Sequence, residues 1–416
     1  MSLDRLLERI ESMRGYVVDL YRRLIPLQAI PPDFGGRGEL RRAEALEEEL
    51  KKLGLDVERY DAPDPRAEGG VRPNLVVKIG HGRPRLWIVS HIDTVPEGDA
   101  SLWTRPPFEA TVEGDLVYGR GAEDNLQAVV MSLVVIRALV EEGVEPPIPL
   151  GFAFVSDEEA GSNYGVKYLL EKTRVFRSDD MVLVPDYCSR DGSEIEVAEK
   201  HLLWVRVVVE GRQAHASLPH LGLNAARLAM QFNLELDRAL HTLYSDYDPM
   251  FEPPVSTFEP TKREPNVGNV NTIPGRDVTY WDCRILPSRS IEEVLSTIRS
   301  LAYTFSASTG AKVRIEPVMK DAAGAPTRPS HPLVRSLAEA IREDRGIEPK
   351  PIGIGGGTVA RYFRKRGMAA VVWQTCDMTA HKPDEYAKIS NVIADARVVA
   401  RLIHKLKPNK GGGAIL

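Results

Sequence analysis

Cysteine is scarce in this sequence. Its 416 residues include only Cys188, Cys283 and Cys376, which are far apart and form no C-x-x-C motif. An odd number of isolated cysteines predicts neither a disulfide framework nor a zinc site built on thiolates. We therefore expect a reducing, cytoplasmic setting for the protein.

Long apolar runs and an excess of one charge are also absent. No apolar run in the sequence is long enough to span a bilayer, and the N-terminal segment, with Asp4, Arg5 and Glu8 among its leucines, is too charged for a signal peptide. With 54 basic and 59 acidic residues, the chain has no general attraction to nucleic acid or to an anionic membrane. The ordinary composition predicts a globular protein, and the length predicts two domains, with three as the alternative.

One apolar stretch ends in two residues that carry chemistry. The run from about Arg85 to Ser90 is typical of a buried strand, and His91 and Asp93 follow it directly. Their i, i+2 spacing points both side chains to the same side of an extended backbone. The imidazole can bind a metal while the carboxylate fixes the tautomer of the ring. By itself an H-x-D pair is more often an ordinary surface turn, so the prediction depends on the rest of the chain.

Four further segments end in a similar way. The predicted strands 116–119, 149–155, 179–184 and 368–374 precede, in chain order, Asp124, Glu158 with Glu159, Asp186 and His381. Helix capping by Asp124 and a solvated acidic turn at 157–159 are the structural alternatives. Because ligands gather beyond the carboxyl ends of strands, five such endings predict one site. Two histidines with three or four carboxylates suit zinc, manganese or cobalt and are too acidic for a single ion, so we predict two divalent metals that share a water.

A different pattern occupies the region between Asp186 and His381. Strands are predicted at 201–210, 255–259, 277–286 and 312–317, and helices at 224–243 and 290–305. This β-α-β-β-α-β order is that of a ferredoxin-like domain, whose open sheet edge invites pairing with a second chain. We therefore expect an inserted domain at 199–319 between the two parts of a catalytic domain, 1–198 and 320–416, and a subunit interface on the insert.

Six motifs, taken together, resemble those of one enzyme family. They are Ser90-His91-Ile-Asp93-Thr-Val-Pro, Gly119-Arg-Gly-Ala-Glu-Asp124, Asp157-Glu158-Glu159, Gly211-Arg-Gln-Ala-His215-Ala-Ser, Asn271-Thr-Ile-Pro-Gly and Gly355-Gly-Gly-Thr358. In this order, over about Leu7 to Leu402, the chain is similar to the dinuclear-metal aminoacylases and carboxypeptidases, which include acetylornithine deacetylase, succinyl-diaminopimelate desuccinylase and glutamate carboxypeptidase. The resemblance implies an α/β fold: a metallopeptidase-type catalytic domain with a central mixed sheet flanked by helices, and an inserted ferredoxin-like domain that serves as lid and dimer interface.

The resemblance also implies a role for each residue. One metal would be held by His91 and Asp186 and the other by His381 and Glu159, with Asp124 bridging both, Asp93 orienting His91 and Glu158 acting as the general base. His215, from the lid of the partner subunit in a homodimer, would donate to the oxyanion, and Asn271, Arg284, Thr358 and Arg361 would contact the substrate. The ions would be zinc, with cobalt or manganese as alternatives. A surface turn for His215 and a structural ion pair for Arg284 are the competing interpretations.

The function implied is metal-dependent hydrolysis of the amide bond of an N-acyl amino acid. A dipeptidase or metallocarboxypeptidase is the alternative, which is favoured by Asp186 at a ligand position that is glutamate in the deacetylases. An inactive homologue that acts as a binding or scaffold protein is a third hypothesis. Two further departures from the family pattern are Asn125-Leu-Gln127-Ala128 in place of a lysine-glycine pair, and Val359 in place of an acid.

Overall fold

The computed structural model describes residues 3–406 and divides the chain into two compact units. The first unit comprises residues up to Val197, Thr327–Ile352 and the segment from Thr358 onward, and the second comprises Ala198–Pro326 and Gly353–Gly357. The inserted segment expected at 199–319 therefore lies within the second unit, which also takes residues 320–326 because its last strand is longer than predicted. Residues 1–2 and 407–416 of the expected catalytic domain lie outside the described residues.

The described residues form seventeen strands. In chain order these are β1 (Val57–Pro63), β2 (Val71–Ile79), β3 (Leu86–His91), β4 (Thr111–Glu113), β5 (Leu116–Tyr118), β6 (Leu150–Val155), β7 (Met181–Ser189), β8 (Glu194–Glu199), β9 (His201–Glu210), β10 (Ala214–His215), β11 (Thr257–Arg263), β12 (Thr272–Ile273), β13 (Arg276–Ile285), β14 (Lys312–Asp321), β15 (Lys350–Ile354), β16 (Ala369–Thr375) and β17 (Tyr386–Lys388). Strands β4, β8, β10, β12, β15 and β17 were not predicted. Most of them are only two or three residues long, and a proline and a glycine weaken the pattern of β15.

Residues 3–406 also contain ten α-helices. These are α1 (Leu3–Glu11), α2 (Arg14–Leu24), α3 (Leu40–Lys52), α4 (Leu126–Glu141), α5 (Val166–Lys172), α6 (Ala225–Leu243), α7 (Ile291–Thr309), α8 (Pro332–Arg345), α9 (Ala360–Lys365) and α10 (Ile389–Lys405). The first two helices are separated at Ser12 and Met13, where the backbone N–H of Met13 bonds to the carbonyl of Ile10, three residues earlier. No helix in this part of the chain is long and apolar enough to cross a membrane.

The first unit is built on an eight-stranded mixed sheet. Its strand order is β1-β2-β6-β3-β7-β16-β8-β15, with parallel pairing from β6 through β3 and β7 to β16 and antiparallel pairing on either side. Strands β3 and β6 are buried along their whole length, as expected for a sheet covered on both faces. Helix α4 is buried almost all round and packs against α10 and α2. The predicted central mixed sheet flanked by helices is confirmed.

The second unit has the predicted β-α-β-β-α-β order, formed by β9, α6, β11, β13, α7 and β14. Its antiparallel sheet has the order β11-β13-β9-β14, so the first and third long strands lie side by side in the middle. The two helices pack on one face of this sheet, where the rings of Phe232 and Phe305 meet edge to face at 5.3 Å. This is ferredoxin-like topology with β11 and β14 as the edge strands.

One disulfide joins strands of the central sheet. Cys188 on β7 and Cys376, directly after the neighbouring β16, are bonded with their Cα atoms 5.6 Å apart, and Cys283 is free and buried. The expectation that the cysteines form no disulfide is therefore wrong for this pair. The error has a simple cause, because a separation of 188 residues along the chain conceals that the two strands are adjacent.

Candidate dinuclear metal site

The structure brings the five predicted metal ligands together in the first unit. His91 Nε2 lies 2.9 Å from Asp124 Oδ1 and 3.5 Å from Asp186 Oδ1. His381 Nε2 lies 3.1 Å from Asp124 Oδ2 and 3.1 Å from Glu159 Oε1. Each carboxylate oxygen of Asp124 therefore faces a different histidine, which is the arrangement that a bridging carboxylate needs.

Strand register explains most of this convergence. His91 ends β3 opposite Val155 at the end of the parallel strand β6, so the turn that carries Glu158 and Glu159 begins beside the histidine. Asp186 lies within β7, on the other side of β3. Asp124 differs from the prediction, because the strand before it, β5, belongs to a separate three-stranded sheet of β17, β5 and β4. The loop between that small sheet and α4 delivers Asp124 to the site.

Asp93 lies close to His91 and also contacts the turn that carries Glu158 and Glu159. The sequence predicted only the first of these contacts. Oδ1 of Asp93 lies 3.3 Å from Nδ1 of His91, a buried atom that makes no hydrogen bond among the residues described, so the orienting role stays a prediction. Its two oxygens also accept the backbone N–H groups of Glu158 and Glu159, each at 3.0 Å. The turn they belong to contains Asp157 with a φ of 66°, a left-handed conformation that a non-glycine residue adopts only when its surroundings hold it there.

Crowded acids dominate the electrostatics of the site. Withdrawal from water and the charge of Asp186 raise the pKa of Glu158 well above its usual value. Withdrawal from water and the charge of Asp124 raise the pKa of Glu159 to about 7. Hydrogen bonds to Asp124 and Glu159 raise the pKa of His381 to about 10. The side chains therefore hold protons that a divalent cation would displace.

The donor set fits two divalent cations. The ligand atoms of His91, Asp124 and Glu159 lie within 4.8 Å of one another, and so do those of His91, Glu158 and Asp186. Two imidazoles with several carboxylates suit zinc, cobalt or manganese, and the surplus of negative charge calls for more than one ion. The carboxylate of Glu158 accepts no hydrogen bond from any side chain among residues 3–406, so it is available to the substrate or to a water.

A cavity of about 250 Å³ opens beside these ligands. Its lining consists of Glu123, Asp124, Asp186, Tyr187, Cys188, Gln374, Met378 and Ala380, so no lysine or arginine lines it. The Oε1 atom of Gln374 is buried and has no hydrogen-bond partner among the residues described. The cavity therefore presents acceptors rather than cationic donors.

The predicted substrate contacts are divided between the two units. In the second unit, exposed His215 pairs with Thr272 across β10 and β12, and the carbonyl of Asn271 accepts from Ala216. Arg284 donates to both oxygens of Asp282 and to the carbonyl of Gly355, as the ion-pair interpretation expected. In the first unit, Thr358 and Arg361 are both buried, at the start of α9 and within it.

Three supporting residues were not predicted from the sequence. Asn125, noted above only as a departure from the family pattern, has a side chain that accepts from the backbone N–H of His91 at 3.3 Å and donates to the Pro185 carbonyl at 2.7 Å. Glu123 and Glu385 are buried beside the ligands: Glu123 accepts hydrogen bonds from the loop that carries His381, and Glu385 accepts them from the loop that carries Asp124. The one available signal was their position, next to Asp124 and shortly after His381.

Imidazole and carboxylate donors in two groups that share His91, one of which includes Glu158, are typical of metal-dependent hydrolases. Within that class the chain belongs to peptidase family M20/M25/M40, whose sequence pattern matches residues 87–405. The family is dinuclear and metal-dependent, and the chain is an enzyme of the amidohydrolase and peptidase type. The predicted family and enzyme class are confirmed, and the hypothesis of an inactive scaffold is not supported.

Named relatives differ in what they cleave. An uncharacterized metallohydrolase of Methanocaldococcus jannaschii is 37% identical over 403 residues, covering 93% of this chain and 98% of that protein. Succinyl-diaminopimelate desuccinylase of Gluconacetobacter diazotrophicus is 27% identical over 406 residues, covering 93% and 96%. The di-peptidase Dug1p of Saccharomyces cerevisiae has the same fold, with a TM-score of 0.72 and 17% identity over 97% of this chain and 98% of that one.

Proposed function

We propose that this enzyme hydrolyses the amide bond of an N-acyl amino acid. The observation that carries the proposal is the geometry around Asp124, whose two oxygens face His91 and His381 at 2.9 and 3.1 Å while Glu158 stays unbonded beside them. A shared carboxylate between two nitrogen donors supports a two-metal site, and a free glutamate supports general-base catalysis at that site.

The proposed metal ligands are His91 and Asp186 for one ion, His381 and Glu159 for the other, and Asp124 for both. Two zinc ions, or cobalt or manganese, would polarise the scissile carbonyl and make the attacking water more acidic. Glu158 takes the proton of that water and then delivers it to the leaving amine. Withdrawal from water raises the pKa of Glu158, which makes its carboxylate a stronger base for the first step. Asp93 keeps Glu158 in place through its backbone N–H.

His215 is proposed to stabilise the oxyanion that forms on the carbonyl. The backbone N–H of Ser217 donates to Nδ1 of His215 at 3.2 Å, and the Ser217 hydroxyl lies 2.7 Å from the same atom. With Nδ1 engaged as an acceptor, the neutral ring carries its proton on Nε2, which is free to donate. Asn271, Arg284, Thr358 and Arg361 are proposed to contact the substrate, with Arg361 as the fork for its carboxylate.

A homodimer formed through the second unit is part of the proposal. Two features support it: the open sheet edges β11 and β14, and the exposed apolar pair Met230 and Leu234, which are one turn apart on α6. In such a dimer the His215 that serves each site would come from the partner. Light scattering should give twice the chain mass, and the double variant Met230→Glu and Leu234→Glu should give the single mass with reduced activity.

Dipeptide hydrolysis is the second candidate. Asp186 at the variable ligand position favours it, and so does the adjoining cavity, whose lining offers carboxylates and the unpaired Gln374 Oε1 but no cation. Such a lining suits a free α-amino group and would disfavour an anionic acyl group such as succinyl.

The test is amine release from a mixed panel with zinc, cobalt or manganese added and a chelator control. The panel contains N-acetyl amino acids, N-succinyl amino acids and dipeptides with free amino ends. Cleavage confined to acylated compounds supports the deacylase function. Cleavage confined to dipeptides contradicts it and supports dipeptide hydrolysis instead. Absence of metal-dependent release from the whole panel would contradict both. A cytoplasmic location stays a prediction, which the disulfide makes worth testing because disulfides are commoner in oxidising compartments.

A further inference from the structure

Two loops that carry proposed metal ligands are joined beneath the site by a pair of buried glutamates. The Asp124 loop comprises residues 119–125, and the His381 loop comprises residues 376–385. Glu123 belongs to the first loop and bonds to the second, whereas Glu385 belongs to the second and bonds to the first. We call this reciprocal pair the carboxylate clamp.

Glu385 is fully buried and its carboxylate accepts four hydrogen bonds from the Asp124 loop. Oε1 accepts the backbone N–H groups of Glu123 and Asp124, each at 3.0 Å. Oε2 accepts the backbone N–H of Gly121 at 3.0 Å and Nη1 of Arg120 at 2.6 Å. Only an ionised carboxylate can accept four donors in this way, because a glutamine would turn an N–H₂ group toward two of them.

Glu123, on the Asp124 loop, accepts hydrogen bonds from the His381 loop. Its carboxylate accepts the backbone N–H of Thr379 at 2.6 Å and that of Asp377 at 3.2 Å, and the Thr379 hydroxyl lies 2.9 Å from it. The loop it holds contains three non-glycine residues in the left-handed region, Met378, His381 and Asp384, with φ values of 63°, 62° and 53°. Such a backbone keeps its shape only when its surroundings impose it.

The charge of the clamp is an argument for a role beyond filling space. Two more buried carboxylates beside Asp124 add negative charge to a site that is already crowded with acids, and Arg120 balances only that of Glu385. A purely structural connection would be less costly if it used neutral acceptors. Cations that occupy the site would offset this negative charge, so the clamp is suited to the metal-loaded protein.

We propose that Glu123 and Glu385 are positioning residues, which set the separation of Asp124 and His381 and thereby the affinity for the cation that these two ligands share. This inference rests on the ligand roles proposed above. The clamp acts through the backbone of both loops, because its bonds end at the N–H of Asp124 itself and at the N–H of Thr379, two residues before His381.

The test measures metal binding by the metal-free full chain. Zn²⁺ is titrated by calorimetry and Co²⁺ by its visible absorption, in the wild type and in Glu385→Gln and Glu123→Gln. We expect two ions in the wild type, and in each variant about 10- to 100-fold weaker binding of one ion with an altered cobalt spectrum. Glu196→Gln is the matched control, because Glu196 is equally buried and ion-paired with Arg364 at 2.8 Å. It should lose stability yet bind both ions as the wild type does.

A milder pair of variants guards against loss of folding. Thr379→Val removes the hydroxyl contact to Glu123 together with two hydrogen bonds to the backbone of Tyr386, and Thr379→Ser retains all three. We expect several-fold weaker binding in the first and recovery in the second. Wild-type affinities and spectra in both Glu385→Gln and Thr379→Val would overturn the clamp while leaving the proposed function intact. A wild type that binds no pair of ions would overturn the proposed function and the clamp with it.

Discussion

The carboxylate of Asp93 accepts the backbone N–H of Glu158 at 3.0 Å, so the residue that faces His91 also holds the proposed general base. A second bond at the same distance, from the N–H of Glu159, connects Asp93 to a proposed metal ligand. One buried carboxylate thus lies against a proposed ligand histidine and bonds to the backbone of the proposed base and of a proposed ligand glutamate. Its removal should affect metal binding and chemistry together.

The Asp93→Asn variant should bind metal about 10- to 100-fold more weakly, because its amide group cannot accept both backbone donors or support the imidazole as a carboxylate does. The measurement is a zinc titration of the metal-free variant, followed by kcat at saturating metal. We expect kcat to stay low even when the site is filled, since the turn that carries Glu158 has lost its hydrogen bond. Full recovery of kcat at a high metal concentration would show that Asp93 acts only by orienting His91.

The Glu158→Gln variant should separate binding from catalysis. Glutamine keeps the size of the side chain but cannot take a proton, and general-base catalysis contributes about 10²- to 10⁴-fold to rate. We expect kcat to fall by about that factor while two ions per chain still bind. Steady-state kinetics with metal analysis checks both parts. Activity close to that of the wild type would exclude Glu158 as the base.

Metal removal should make stability fall as the pH rises from about 4.5 to 7. In the folded protein, withdrawal from water and the charge of Asp124 keep Glu159 protonated up to a pKa of about 7, whereas the unfolded chain releases this proton near 4.5. The folded state therefore binds more protons in this window, and the free energy of unfolding must decrease with pH.

Urea unfolding of chelator-treated protein at pH 5, 6 and 7 measures this slope. Glu159→Gln should flatten it, and added divalent cation should abolish it because the cation favours the ionised carboxylate. A metal-free protein that becomes more stable between pH 5 and 7 would contradict the electrostatics described for the site.

The disulfide between Cys188 and Cys376 should contribute to stability. It closes a loop of 188 residues between adjacent strands, and native disulfides typically stabilise by about 2–4 kcal/mol. Reductant should therefore lower the Tm of the wild type by several degrees and should not affect the double variant Cys188→Ser and Cys376→Ser. The denatured protein should show one free thiol before reduction and three after it. Three thiols before reduction would show that the bond does not form.

Sequence patterns predicted the parallel strands of the central sheet and the gathering of ligands at their ends, but not strands β8 and β15 or the separate sheet before Asp124. Apolar strands such as β3 and β6 are easily recognised because they are buried on both faces, and parallel neighbours place their carboxyl ends at one edge. Local patterns also predicted the order of elements in the second unit. In each case the information lies within a short stretch of chain.

What the sequence could not reveal depends on pairing between distant segments. Glu385 resembles any acid in a polar loop until the loop that carries Asp124 is folded against it. Asn125 gives no sign of its contacts with His91 and Pro185, because those contacts exist only when β3 and β7 are neighbours. Cys188 and Cys376 could not be paired for the same reason.

Strand β16 has a consequence for the order in which the protein can be built. It lies between β7 and β8, although both are synthesised about 170 residues earlier. The central part of the sheet therefore cannot form until β16 has been synthesised. A nascent chain that ends before Ala369 exposes the facing edges of β7 and β8, which are open to pairing with other chains. It also lacks His381. Neither a closed sheet nor a complete set of the proposed metal ligands can therefore form until the segment from Ala369 to His381 has been synthesised.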